Sequence, residues 1–115
     1  MELIKFNDKC TITRVMLDVE GNAIYNEYDE PMVEDVYYGD CSYQVGGVSN
    51  RSIMVRNDVV YLPTNDVIVV SGDMIEIETA RGRNRKGVVS DARDIELPLT
   101  HECYTKVELK QGMGD

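Results

Sequence analysis

The strictest constraint in this chain is an alternation of period two. In MIEIETA, residues 74–80, Ile75 and Ile77 fall on one side and Glu76 and Glu78 on the other. Successive side chains of a strand point to opposite faces, so the pattern reads as a half-buried strand. TKVELKQ, residues 105–111, repeats it with Val107 and Leu109 facing in and Lys106, Glu108 and Lys110 facing out. CTITRVMLD, residues 10–18, is rich in β-branched residues and reads as a strand. After the turn signal Glu20, Gly21, Asn22, the stretch AIYNEY (23–28) is expected to return as its hairpin partner. SIMVRNDVVYL (52–62) and VIVV (67–70) add two candidates, separated by Pro63, Thr64, Asn65 and Asp66. Gly-Asp recurs in VYYGDCSYQV (36–45) and IVVSGDMIEI (68–77), and glycine at the first central position predicts tight type II′ turns there.

Helix signals are weak, because no window of eleven residues keeps apolar spacing at i, i+3, i+4 and i+7. VVSDARDIELPL (88–99) has room for one helical turn after Ser90 before Pro98 stops it. The expectation is all-β: a small barrel or sandwich with a long hairpin arm and loops, forming one domain over residues 1–115. A chain of 115 residues buries about two thirds of its surface, which supports one modest core and no second one.

Composition excludes several function classes. Hydrophobic residues at 43% are too many for a disordered chain, and no run approaches the roughly 18 apolar residues of a membrane span. The expectation is a soluble protein made in a cytoplasm, with no membrane contact. Cys10, Cys41 and Cys103 are widely spaced and odd in number, which suits buried free thiols rather than a disulfide framework or a metal knuckle. His101 and Cys103 share a strand face and have the chemistry of base and nucleophile, but no third orienting group stands nearby, so they read as polar surface. Asn50, Arg51 and Ser52 form a glycosylation sequon, which carries no weight without a secretory leader. No enzyme activity, cofactor or metal is expected.

Charge is distributed unevenly. The chain carries a formal net charge of -9, yet Arg81, Arg83, Arg85 and Lys86 crowd into ARGRNRKGVVS, residues 80–90. Between Val15 and Asn50 there is no lysine or arginine, while Asp18, Glu20, Glu27, Asp29, Glu30, Glu34, Asp35 and Asp40 all lie there. Tyr25, Tyr28, Tyr37, Tyr38 and Tyr43 fall in the same stretch, and tyrosine is enriched where proteins meet proteins. An acidic docking arm around residues 17–40 is expected, carried by Glu27, Asp29, Glu30, Glu34 and Asp35 with Tyr25, Tyr28, Tyr37 and Tyr38. A charge run more often merely solvates a protruding hairpin while its tyrosines complete the core; the concentration of tyrosine narrows that gap. A general nucleic-acid binder needs aromatic rings interleaved with its bases, and here the aromatics lie in the acidic half.

SIMVRNDVVYLPTNDVIVVSGDMIEIE, residues 52–78, resembles the core of the head-tail joining, or head-completion (stopper), proteins of long-tailed bacteriophages. The parts that carry the resemblance are Val55, Arg56, Asn57 and Asp58, then Gly72, Asp73, Ile75 and Ile77, with an early TITRV strand at 11–15. ARGRNRKG (80–87) is longer and more basic than the family pattern. The resemblance implies a small β-barrel with long loops, several copies closing into a homo-oligomeric ring in the virion neck. There it would join the DNA-filled head, through portal or adaptor proteins, to tail proteins and help retain the genome. The 81–86 loop would then meet either a neighbouring subunit or the packaged DNA. The alternative from a different class is a solitary β-barrel module that binds single-stranded nucleic acid through that loop.

Overall fold

The computed structural model describes residues 5–45, 58–98 and 101–110. The sequon at Asn50 and the Val55, Arg56 and Asn57 portion of the resemblance lie outside the described residues. Six strands run in the order β1 (Asp8–Val15), β2 (Val33–Gln44), β3 (Val59–Leu62), β4 (Met74–Glu78), β5 (Asn84–Glu96) and β6 (Cys103–Leu109). All neighbours are antiparallel, and the sheet closes as β1-β2-β3-β6-β5-β4, with β4 returning to β1. Closure removes every long free edge, which open antiparallel sheets must otherwise protect.

Alternation determines the core. Ile75 and Ile77 are buried and Glu76 and Glu78 are exposed; Val107 and Leu109 on β6 point in beside Cys10 and Ile12 of β1 and Val60 and Leu62 of β3. Cys10 and Cys41 are buried free thiols, whereas Cys103 is exposed. A hydrogen bond with Cys10 and burial hold the Cys41 thiol well above its usual titration range.

Four local expectations are corrected. AIYNEY returns only against the end of CTITRVMLD, where Ala23 bridges to Leu17 and the Ile24 amide donates to the Met16 carbonyl; it does not run along β1, whose partners are β2 and β4. VIVV is extended, with Val69 buried and Ile68 and Val70 exposed, but it joins no strand. The helical turn after Ser90 is absent: residues 84–96 are β5, the longest strand, which pairs with β4 through Asn84–Val88 and with β6 through Val89–Glu96. Its alanine, aspartates and arginines are weak strand formers, and tertiary pairing on two sides in succession overrides that preference. Of the two Gly-Asp pairs, only Gly72 lies in a turn, and there the Asp73 amide donates to the Val70 carbonyl at 3.2 Å, so the glycine takes the second central position and not the first; Gly39 lies within β2, where Tyr37 folds across it and donates its hydroxyl proton to the Asp40 carbonyl at 2.7 Å. Burial pushes the Tyr37 phenol up to about 12.

Among the described residues, one charged group sits inside. Asp73 is only 2% exposed, and Arg14 meets it with two parallel bonds, Nε to Oδ1 at 2.8 Å and Nη2 to Oδ2 at 2.9 Å. The same Nη2 reaches the Ile68 carbonyl at 2.9 Å, and the Val70 amide donates to Asp73 Oδ2 at 3.0 Å. This cluster ties the end of β1, the extended 67–70 segment and the start of β4 together. Burial alone would raise the Asp73 carboxyl, but the hydrogen bonds from Arg14 and Val70 and the Arg14 charge outweigh it and hold the group below the ordinary carboxylate range.

Removing Arg14 strands a buried carboxylate, so Arg14→Ala is expected to cost about 3–5 kcal/mol in urea unfolding at neutral pH. Because the folded carboxyl titrates low, its contribution is complete above the unfolded value of about 3.9 and fades as pH falls below it. The stability gap between wild type and Asp73→Asn should therefore narrow below about pH 4. A gap that stays constant down to full protonation would refute the assignment.

Candidate functional site: a charged surface at each end of the barrel

The arm between β1 and β2 folds as two successive eight-residue turns of the same form, LDVEGNAI (17–24) and YNEYDEPM (25–32). In the first copy the Asp18 carboxylate accepts from the amides of Glu20 (2.9 Å) and Asn22 (3.0 Å), and Gly21 takes a left-handed φ of 86°. In the second, the Asn26 side-chain oxygen accepts from Tyr28 (2.8 Å) and Glu30 (3.0 Å), and Asp29 takes a φ of 61°. Each copy closes with one bridge, Leu17 to Ala23 and Tyr25 to Pro31. Short polar side chains that accept from the backbone two residues on replace a strand ladder with a tight turn.

The two turns are joined by a ring of backbone bonds at eight-residue spacing. Ile24 donates to Met16 (3.0 Å), Met32 to Ile24 (2.8 Å) and Met16 to Met32 (2.8 Å). The turns are therefore two leaves on a hub at the end of β1 and β2. Their exposed groups include Tyr25, Tyr28, Leu17 and Val19 beside the carboxylates of Glu27, Asp29 and Glu30. No side-chain hydrogen bond or ion pair engages those three carboxylates among the described residues. The expected arm is thus divided. Its leaves end at Met32, whereas Glu34, Asp35, Tyr37 and Tyr38 belong to β2. Tyr38 is 78% exposed, while Tyr37 is half-buried against the core.

The basic cluster lies at the other end. The β4–β5 connection is a tight turn in which Thr79 donates to the Arg83 carbonyl (2.8 Å), Gly82 to the Thr79 carbonyl (2.9 Å) and Arg83 to Thr79 Oγ1 (3.1 Å). Gly82 supplies the left-handed residue, with a φ of 84°. Asp8 clamps this turn to the barrel: one carboxylate oxygen accepts from Ala80 (2.8 Å) and the other from Tyr43 (2.9 Å). Arg81, Arg83 and Arg85 converge with Lys5 on a cleft of about 480 Å³, which Asp8 and Tyr43 also line. Lys86 does not join them. It points to the outer wall, where its ammonium lies 3.4 Å from Glu76. Alternation along β5 makes the split, because Arg85 shares a face with buried Gly87 and Val89.

Sequence order missed Lys5, which is distant from the arginines along the chain and joins them only through the β1–β4 pairing. The eight-residue repeat has no signature in the sequence, since its copies share conformational classes rather than identical residues. Elsewhere, the His101 ring meets Glu96 Oε1 at 3.1 Å, and the Cys103 thiol contacts the His101 carbonyl at 3.8 Å. Among the described residues, no group of three or more His, Cys, Asp or Glu is placed to hold a metal ion, and no helix is long and apolar enough to cross a membrane.

No protein-family model, curated protein or solved structure matches the chain. The geometry of the two ends therefore carries the functional reading.

Two local expectations follow. Asp18→Ala removes the acceptor for two amides, so hydrogen exchange at Glu20 and Asn22 should speed up about tenfold or more, with Tyr28 and Glu30 little changed if the leaves form independently. Asp8→Ala should likewise raise exchange at Ala80 and Tyr43 while the amide of Gly82, held within the turn, keeps its protection. Equal effects on all three would mean that Asp8 holds the turn itself rather than its docking.

Proposed function

We propose that the protein is a structural component of a tailed-phage neck, joining the DNA-filled head to the tail and helping to retain the genome. The observation that carries the reading is the placement of opposite charge at opposite ends of one closed barrel. β1 runs from Asp8, which holds the basic turn, to Val15, where the acidic arm leaves, a span of about 23 Å at the usual strand rise. Rings of identical subunits use heterologous contacts, in which one patch meets a different patch on the next copy. A barrel with unlike ends or sides suits that requirement, and complementary charge orients the encounter.

The likeness of residues 52–78 to head-completion proteins supports the same reading, as do exposed tyrosines on the arm, which suit docking to portal, adaptor or tail proteins. On this proposal the protein acts as a binding and joining element, works without a cofactor, and is assembled into the virion neck in the host cytoplasm. Negative-stain images of particles lacking this protein test it. Separate heads and tails, with emptied heads, are the expected result; normally joined, DNA-filled particles would overturn the proposal.

The nucleic-acid reading has one observation in its favour, the approach of Tyr43 to the basic cleft. Its ring is half-buried, and its hydroxyl donates to Asp58, so it is a poor platform for stacking. Titration of a single-stranded oligonucleotide separates the two. The neck reading expects weak binding even at low salt, and tight binding that falls steeply with salt would favour the alternative.

A further inference from the structure

We infer that the basic cleft receives the second leaf of the arm, Tyr25–Met32, from a neighbouring copy of the chain. This rests on the ring-forming reading above and names its contact. The charges match in sign. Lys5, Arg81, Arg83 and Arg85 line the cleft with one opposing carboxylate, Asp8, while the leaf carries Glu27, Asp29 and Glu30 and no cation. Neither surface can satisfy the other within one chain, because the length of β1 separates them.

The cleft's chemistry favours carboxylates on a protruding peptide over a single bound phosphate. A phosphate site built on a turn uses backbone amides aimed at the anion. Here three of the turn's amides are already engaged: Ala80 by Asp8, Gly82 by the Thr79 carbonyl and Arg83 by the Thr79 hydroxyl. Recognition falls largely to side chains, and the guanidinium groups of Arg81 and Arg83 are exposed with no hydrogen-bond or ion-pair partner among the described residues. Arginine's planar fork suits a carboxylate in bidentate fashion, as Arg14 and Asp73 demonstrate within this molecule. The leaf has the complementary form. Its Asx turn presents Tyr28, 74% exposed, between Glu27 and Asp29, so an aromatic ring enters together with the carboxylates. The first leaf is the weaker candidate, since the Asp18 carboxylate is occupied by its own turn.

The test uses the full chain in two variants. R81E/R83E makes the cleft acidic beside an acidic arm, and E27K/E30K makes the arm basic beside a basic cleft. Sedimentation of the wild type at low salt should show association that weakens as salt screens the contact. Each variant alone should associate at least tenfold more weakly. Mixed together they should associate again, because each arm now faces a cleft of opposite sign. In a Cys103→Ser background, Arg83→Cys with Glu30→Cys should yield a disulfide between chains under oxidising conditions.

A wild type that stays monomeric at every salt and protein concentration would overturn the inference. So would a mixture that fails to associate when both variants keep the wild-type unfolding midpoint. Loss of oligonucleotide binding in R81E/R83E, with association unchanged, would assign the cleft to nucleic acid instead. The particle images described above test the neck role separately. A failed contact with neckless, leaking particles would leave that role standing on a different interface, and a sound contact with normal particles would remove the role and keep the contact.

Discussion

The bidentate pair between Arg14 and Asp73 is the interaction on which the arrangement of this barrel most depends. A carboxylate that is 2% exposed is tolerable only when it is paired and its remaining lone pairs are filled, and here Arg14 and the Val70 amide do both. Replacing both partners with apolar residues of similar shape can be neutral for stability in other proteins, so the value of the pair lies in what it positions. It fixes the extended 67–70 segment through the Ile68 carbonyl and starts β4 beside the end of β1, where Thr13 pairs with Met74. That junction closes the barrel. It also sets the strand from which the acidic arm departs.

Closure then dictates where charge can go. An antiparallel barrel of short strands places successive connections at alternate ends, so the β1–β2 arm and the β4–β5 turn fall at opposite ends. Each is built from local chemistry that needs little help from the core: Asx acceptors and left-handed residues in the arm, and a Gly82 turn clamped by Asp8 at the other end. The core consequently carries little of the specificity. The two ends hold the groups that can recognise something else, and the barrel between them keeps those groups from neutralising one another.

How much of this was legible varies by element. β4 and β6 were plain because apolar and charged residues alternate through Ile75–Glu78 on one and Lys106–Leu109 on the other. β5 was hidden, since NRKGVVSDARDIE changes partner midway and its ladder, not its composition, makes it a strand. VIVV misled in the other direction: β-branched residues produced an extended chain with Val69 buried, but the Arg14 cluster claims the backbone groups at Ile68 and Val70. The Arg14 and Asp73 partnership itself spans 59 positions and has no local signature.

The sequence by itself determined that the chain would be all-β, which faces of β4 and β6 would be buried, and that acid and base would be segregated into different stretches. Those features depend on neighbours a few positions apart, which the period of a strand or the composition of a turn makes visible. Only the tertiary structure decided that the strands close into a barrel, that Lys5 joins the arginines while Lys86 leaves them, and that arm and cleft face opposite ways. These depend on register between strands, where a shift of one residue exchanges inside for outside. Register in this chain is set by contacts between distant residues, Asp73 with Arg14 and Asp8 with Ala80 and Tyr43.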